Sequence, residues 1–295
     1  MPTLLGVLVA SFLIVHLVPG DPVAVMMFGA NPTPAQLADM RAQLGLDRPL
    51  TVQFVDYLRH VLKGDFGQSI QRHRAVGVEI GENIGPTLEL TLAGMCIAIV
   101  VGFALGLVAA LRPNSWVDSL CMGIANLGVA VPAFWLGILL ILLFALTLGW
   151  LPATGQGGGR RLILPAISLG FGYSAIIARL VRSNLVQVLG REYILTARAK
   201  GLPERIVLFR HALRNALIPV ITMVGLQFGN MMASAVVVEV LFARVGMGRL
   251  LVTSILQRDY PLIQGTIFVF GAVYIFLNLL IDLLYSAVDP RIRYT

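Results

Sequence analysis

The chain has 295 residues, 57% of them hydrophobic and 13% charged, where a soluble domain carries about 25% charged residues. Its 22 Lys and Arg against 15 Asp and Glu give a formal charge of +7, nearly all of it placed between six uncharged runs: Met1–Gly20, Leu90–Leu111, Ser119–Gly159, Leu162–Ala178, Asn215–Val238 and Tyr260–Ile281. A span takes about 20 apolar residues, so these runs exclude a water-soluble globule, predict an all-α integral membrane protein with six transmembrane helices, and argue against a nucleic-acid partner.

Residues 1–18 are the first predicted span. Thr3–Val18 would cover about 24 Å, short of the ~30 Å hydrocarbon core, and no Lys or Arg precedes it. A secretory signal has a basic n-region and a small-residue cleavage site; this segment has neither, so the expectation is a retained span whose native start lies upstream of Met1.

Residues 19–85 predict a small helical domain outside the membrane, with six Lys or Arg and seven Asp or Glu. Pro32-Thr33-Pro34 opens a helical pattern in which Leu37, Met40, Leu44 and Leu46 share a side. Leu50, Val52, Phe54, Val55, Leu58, Val61 and Leu62 predict a second helix.

Residues 86–295 predict a five-helix core. The run Ser119–Gly159 is long, but halving Ser119–Trp150 leaves about 16 residues per helix, too few for a bilayer. One long helix bent at Pro132 is expected, because proline removes a backbone hydrogen bond, followed by a hairpin at Gly155–Gly159. Basic residues in the short loops then set the orientation. Arg112, eight Lys and Arg from Arg179 to Arg214, Arg291 and Arg293 lie on one face, against Arg160, Arg161, Arg244, Arg249 and Arg258 on the other. The C-terminus is therefore expected in the cytoplasm and residues 19–85 outside.

Polar residues within or at the ends of spans are costly and often functional. Glu89 and Glu239, near the outer ends, are expected to be solvated. Asn278 and Asp282, one turn apart, predict a structural pair with a nearby Arg. Gln227 and Asn230, three residues apart in the fifth span, are candidates for a translocation pathway, with interhelical bonding as the equal rival.

Catalytic motifs are few. The two lysines, Lys63 and Lys200, do not follow glycine, so the chain has no G-x-x-x-x-G-K-[ST] phosphate loop. His16, His60, His73 and His211 are scattered without H-E-x-x-H, and no G-x-S-x-G is present. Cys96 and Cys121 read as small buried core residues. No cofactor or metal is expected on this chain, and it is not expected to be an enzyme.

The largest cytoplasmic loop, at 185–215, carries the most informative string, Glu192–Val220. Tyr193–Lys200 suits a helix, Gly201 can end it in the left-handed conformation, and Pro203-Glu204 suits the first turn of another. From the residues alone, a solvated basic loop meeting anionic lipid is an equal reading. The string Thr196-Ala197-Arg198-Ala199-Lys200-Gly201-Leu202, followed by Arg210–Val220, resembles the coupling loop of membrane subunits in binding-protein-dependent ATP-binding-cassette importers, in the form of the dipeptide/oligopeptide permease branch. Further matches are Pro19-Gly20-Asp21-Pro22, Leu44–Leu50, Gly64-Asp65-Phe66-Gly67, Pro132–Gly137, Arg258-Asp259-Tyr260-Pro261 and Asp289–Arg293.

The resemblance implies a type I importer permease (MetI-like) fold in a bacterial or archaeal plasma or inner membrane. It implies a pore shared with a homologous second permease subunit, as a heterodimer, two cytoplasmic ATPase subunits that use ATP and Mg, and an external solute-binding protein. The expected substrate is a di- or oligopeptide, with nickel, glutathione or another small solute as the alternative and a self-sufficient secondary transporter or channel as the rival class. The implied ATPase-coupling residues are Tyr193, Ile194, Thr196, Ala197, Arg198, Ala199, Lys200, Gly201 and Leu202. Inverting a 99:1 conformational population takes about 5.5 kcal/mol, and one exposed ion pair supplies about 0–1 kcal/mol, so coupling requires a packed surface rather than Arg198 or Lys200 alone.

Overall fold

The computed structural model describes residues 2–17, 33–43, 47–155 and 157–288. The motif residues Pro19–Pro22, Leu44–Leu46 and Asp289–Arg293, and the side chain of Asp282, lie outside the described residues. The chain is divided into two compact units, one of residues 1–86 and 245–276, the other of residues 87–244 and 277–295.

The first unit holds α1 (Pro2–Leu17), α2 (Pro34–Gln43), α3 (Leu50–Leu62), the start of α4 (Val76–Leu111), α11 (Met247–Gln257) and most of α12 (Tyr260–Val288). A capping box starts α2: the Gln36 Oε1 accepts from the Thr33 N–H at 2.9 Å, and the Thr33 hydroxyl accepts from the Gln36 N–H. Aromatic contacts join α1 to α3, with Phe12 edge-on to Phe54 at 5.3 Å and the Ser11 and Tyr57 hydroxyls 3.0 Å apart. The core gathers Val76, Ile80, Met247, Leu250 and Leu262.

A long-range polar knot holds the segment between α3 and α4. The buried Asp259 carboxylate accepts from the Ser69 hydroxyl at 2.5 Å and from the Ile70 and Gln71 N–H groups, each at 3.2 Å. Nearby, buried Glu79 accepts from Arg72 at 2.5 Å and from Arg74 at 2.7 Å. The sequence motifs Gly64–Gly67 and Arg258–Pro261 thus serve one substructure.

The second unit is built around α7 (Arg160–Leu189), which packs on α5 (Trp116–Ala130), α6 (Ala133–Leu140) and α10 (Ile218–Leu241) and meets α4 through its glycines. Small residues recur every four positions on α4 (Gly94, Ala98, Gly102, Gly106) and on α7 (Gly170, Ser174, Ala178). The two backbones touch there: a Cβ on Gly102 would lie 2.6 Å from the Ser174 carbonyl oxygen, and one on Gly106 2.5 Å from that of Ala178. Close backbone approach through small residues is how spans associate where water cannot drive them together. Leu90, Met95, Leu164, Leu169, Ile177, Met231, Val238 and Phe242 fill the rest of the core.

The structure corrects the sequence reading of the third run. The expected single helix is two, α5 and α6, meeting at 103°. Pro132 offers no N–H and pushes Val131 out of the helical region, to φ −95° and ψ 117°. Beyond α6 the chain widens into a π-type turn at Ile141–Thr147.

Among the described residues, four helices are long and apolar enough to cross a membrane, with a fifth if α5 and α6 count together; α1 is shorter. Glu239, expected to be solvated, is fully buried and accepts from the Thr87 hydroxyl at 2.6 Å, whereas Glu89 is exposed and pairs with buried Arg244. Cys121 is buried as expected, but Cys96 is exposed.

Candidate functional site

The string Glu192–Leu202 folds as α8 (Glu192–Ala199) with a complete C-terminal cap. Gly201 takes φ +74°, the left-handed region that glycine adopts without strain. Its N–H bonds the Arg198 carbonyl at 2.9 Å, and the Leu202 N–H bonds the Ala197 carbonyl at 3.4 Å, the paired pattern of a Schellman motif. Pro203 is extended and starts α9, which runs through Glu204–Ile206, a π-type turn at Val207–Ala212, and Leu213–Ala216.

Across this corner, Arg198 donates to both carboxylate oxygens of Glu204, at 2.5 and 3.1 Å. That hydrogen bonding holds the Glu204 carboxyl below its ordinary value and raises Arg198.

The predicted coupling residues divide between two faces. Ile194 and Ala197 are buried, packed with Val207, Leu208, Ala212, Leu213 and Ala216 of α9, with Leu185 near the end of α7 and Ala110 near the end of α4; Leu202 packs against the same cluster. Tyr193, Thr196, Arg198, Ala199, Lys200 and Gly201 face outward. Tyr193 is held in place by the Asn215 side chain, which donates to its hydroxyl at 3.0 Å.

Sequence reasoning left Leu195 out of the site, yet it is 56% exposed, and on α9 Ile206 and Phe209 are exposed as well. Leu195 follows inward Ile194 by one residue, about 100° around the helix, but eight residues give too few turns to read from sequence which side is inward.

Gln227 and Asn230 do come together: the Asn230 side chain donates to the Gln227 Oε1 at 3.1 Å. Gln227 is buried and Asn230 exposed. The polar file continues beyond them, since the Ser234 hydroxyl donates to the Asn230 carbonyl and lies 2.8 Å from the Tyr173 hydroxyl of α7. Tyr173 and Ser234 had no sequence signal, because their juxtaposition depends on how α7 packs on α10.

A second unforeseen feature is the α5–α7 clamp, in which Arg182 donates through two nitrogens to the two Asp118 oxygens at 2.5 Å each. One turn away on α7, Arg179 donates to Asn126 at 3.1 Å. Among the described residues, no group of three or more His, Cys, Asp or Glu is placed to hold a metal ion.

Comparison with known proteins fits this geometry. Residues 102–294 match the family described as binding-protein-dependent transport system inner membrane component, and residues 2–79 match the N-terminal family of such membrane components. The chain is 48% identical over 294 residues to the glutathione transport system permease protein GsiC of Salmonella typhimurium and 46% identical to that of Escherichia coli K12, covering all of this chain and 96% of each relative. Inward-facing structures of the MetNI methionine ABC transporter share its fold at a TM-score of 0.60 and 17% identity, over 71% of this chain and 96% of theirs. An amino acid ABC transporter crystallised with histidines gives a TM-score of 0.55 at 17% identity, over 72% of this chain and 94% of that one.

Proposed function

The chain belongs to the binding-protein-dependent transport system inner membrane component family, and from that premise we propose that it forms half of the pore of an ATP-driven importer for short peptides, with glutathione, itself a tripeptide, as the first substrate to test. That it is the permease subunit of an ABC importer follows from the family; the solute is the added step. The 48% identity to permeases named for glutathione transport supports it; other di- or oligopeptides fall within the same reading, and the alternative solutes are nickel or another small solute.

The observation that carries the mechanism is the two-faced α8. Its inner face is packed into the ends of α4 and α7 while its outer face presents Tyr193, Leu195, Thr196, Arg198 and Lys200. A helix capped rigidly at Gly201 and buried on one side passes a push to α7 rather than absorbing it. From α7 the displacement reaches α4 through touching backbones and α5 through Asp118–Arg182. Two cytoplasmic ATPase subunits that use ATP and Mg would deliver the push, so the chain itself needs no nucleotide site.

The remaining parts of the proposal follow from the sequence. A homologous second permease subunit completes the pore as a heterodimer, and an external binding protein selects the solute. Residues 1–18 and the five-helix core at 86–295 cross a bacterial or archaeal inner membrane, residues 19–85 lie outside, and the C-terminus is cytoplasmic. Gln227 and Asn230, joined by Tyr173 and Ser234, offer hydrogen-bonding groups to a peptide backbone in the pathway.

The test is uptake in proteoliposomes holding both permeases and both ATPases, with the cognate binding protein outside. Radiolabelled glutathione should accumulate only with ATP. Uptake by this chain alone, unaffected by removing the ATPases, would support a secondary carrier instead; retention of nickel but not glutathione by the binding protein would move the solute to the alternative.

A further inference from the structure

We propose that α3 lies in the outer membrane interface, with the margin of its apolar face set in lipid, rather than standing in water as part of an external domain. The inference rests on the reading of α1 and α12 as membrane-crossing helices.

The first observation is depth. The contacts from α3 to α1 fall on Ser11 and Phe12, and Ser11 stands six residues before Leu17, about 9 Å along the helix from its outer end. A second ruler agrees. A Cβ on Gly271 of α12 would meet Val7 of α1; Gly271 is eleven residues from Tyr260 and Val7 ten from Leu17, so they lie about 15–17 Å from their outer ends. For helices running side by side, those ends share a level, and Tyr57 then sits below it.

The second observation is the shape of the apolar face. At about 100° per residue, Tyr57, Val61, Phe54, Leu58, Thr51, Leu62 and Val55 occupy an arc of roughly 160°. Arg59, Lys63, Asp56, His60 and Gln53 occupy the opposite side, with Val52 the one apolar residue among them. The α1 contact uses Phe54 and Tyr57, and Val61 is buried. Val55 and Leu62, at the other margin of the arc, are 43% and 76% exposed. An amphipathic helix in an interface is buried about 5–10 Å with long basic side chains reaching back to the headgroups. The depth and the placement of Arg59 and Lys63 match both requirements. On α1, the helix that α3 lies against, Leu5, Val9 and Leu13 are likewise exposed, one turn apart along one side.

The experiment is spin labelling of the assembled transporter in phosphatidylethanolamine–phosphatidylglycerol nanodiscs, with Cys96 and Cys121 replaced by Ala. Single cysteines would replace Val55, Leu62 and Arg59, with Leu13 as a label on α1. Labels at 55 and 62 should collide severalfold more with oxygen than with a water-soluble nickel complex, at a depth of about 5–10 Å, and the label at 59 should show the reverse preference. Free access of the nickel complex at 55 and 62, or shielding from both reagents by a protein partner, would overturn the proposal. A water-exposed label at Leu13 would instead refute α1 as a span, and ATP-driven uptake by the Cys-free protein keeps the permease reading separate from either outcome.

Discussion

Gly102 of α4 lies against the backbone of Ser174 on α7, so close that any Cβ there would stand 2.6 Å from the Ser174 carbonyl oxygen. The obstruction is main chain, which cannot rotate away as a side chain can. Gly102→Ala should therefore destabilise the second unit by about 1–3 kcal/mol. Gly123 on α5, where a Cβ meets nothing within 4 Å, is the matched control, and Gly123→Ala should be neutral or slightly stabilising. Thermal unfolding of both variants in detergent measures the difference.

The Asp118–Arg182 clamp should behave as a unit. Asp118→Asn or Arg182→Lys leaves a charged partner with fewer bonds, at a cost of about 1–3 kcal/mol each. The double variant Asp118→Arg with Arg182→Asp should recover part of that loss, which neither single change can do. Substrate-stimulated ATP hydrolysis by the assembled importer, measured beside unfolding, should fall with the clamp and return with the swap.

Gly201→Asp separates folding from coupling. The side chain enters open space, so only the left-handed backbone resists it, at about 1–2 kcal/mol. Membrane insertion should survive, while an acidic group placed next to Lys200 on the exposed end of α8 should abolish substrate-dependent ATP hydrolysis. Normal transport in this variant would remove α8 from the coupling role.

The corner between α8 and α9 carries a defined acid response. Glu204 is held below its ordinary carboxylate value by Arg198, so the pair contributes fully above the unfolded value, about pH 4.3, and is lost as pH falls through the lowered folded value. Hydrogen-exchange protection at residues 198–204, corrected for intrinsic rates, should hold between pH 8 and 6 and decline only in acid, below about pH 4. Glu204→Gln should reproduce the acid state at neutral pH. The pair is exposed, so the effect should be small and reduced by salt.

The polar file on α10 predicts a kinetic signature. Asn230→Ala and Tyr173→Phe should raise the KM for peptide uptake severalfold while leaving unstimulated ATP hydrolysis unchanged. If these groups only join helices, thermal stability should drop with KM unaltered.

Much of the local structure of Glu192–Leu202 was readable in order along the chain. Gly201 followed by Pro203 announces a stop and a restart, and both appear at those residues. The division of Ile194 and Ala197 from Leu195 was less visible, because an eight-residue helix gives too few turns for its buried side to be read from periodicity alone. Pro132 marked the right place but not the size of the bend: a proline can kink a helix or end it, and Val131 moving into the extended region decides for ending. Glu239 was misjudged because nearness to a span's end says nothing of what packs over it, and Thr87, 152 residues away, is its partner. Likewise, the small-residue spacing on α4 and α7 is plain in sequence, but that Gly102 meets Ser174 depends on the relative register of two helices.

The knot at Asp259 also places a delay in the protein's synthesis. Ser69, Ile70 and Gln71 leave the ribosome 190, 189 and 188 residues before the carboxylate that binds them, an interval of about 10–40 s at ordinary elongation rates. Until then Glu79 can collect Arg72 and Arg74, which are local, but the segment ahead of α4 has no anchor and the core of its unit lacks Met247, Leu250 and Leu262. The unit that contains the N-terminus is thus among the last parts to be completed, and a nascent chain stalled before Val245 should expose residues 64–75 to protease that the finished protein resists.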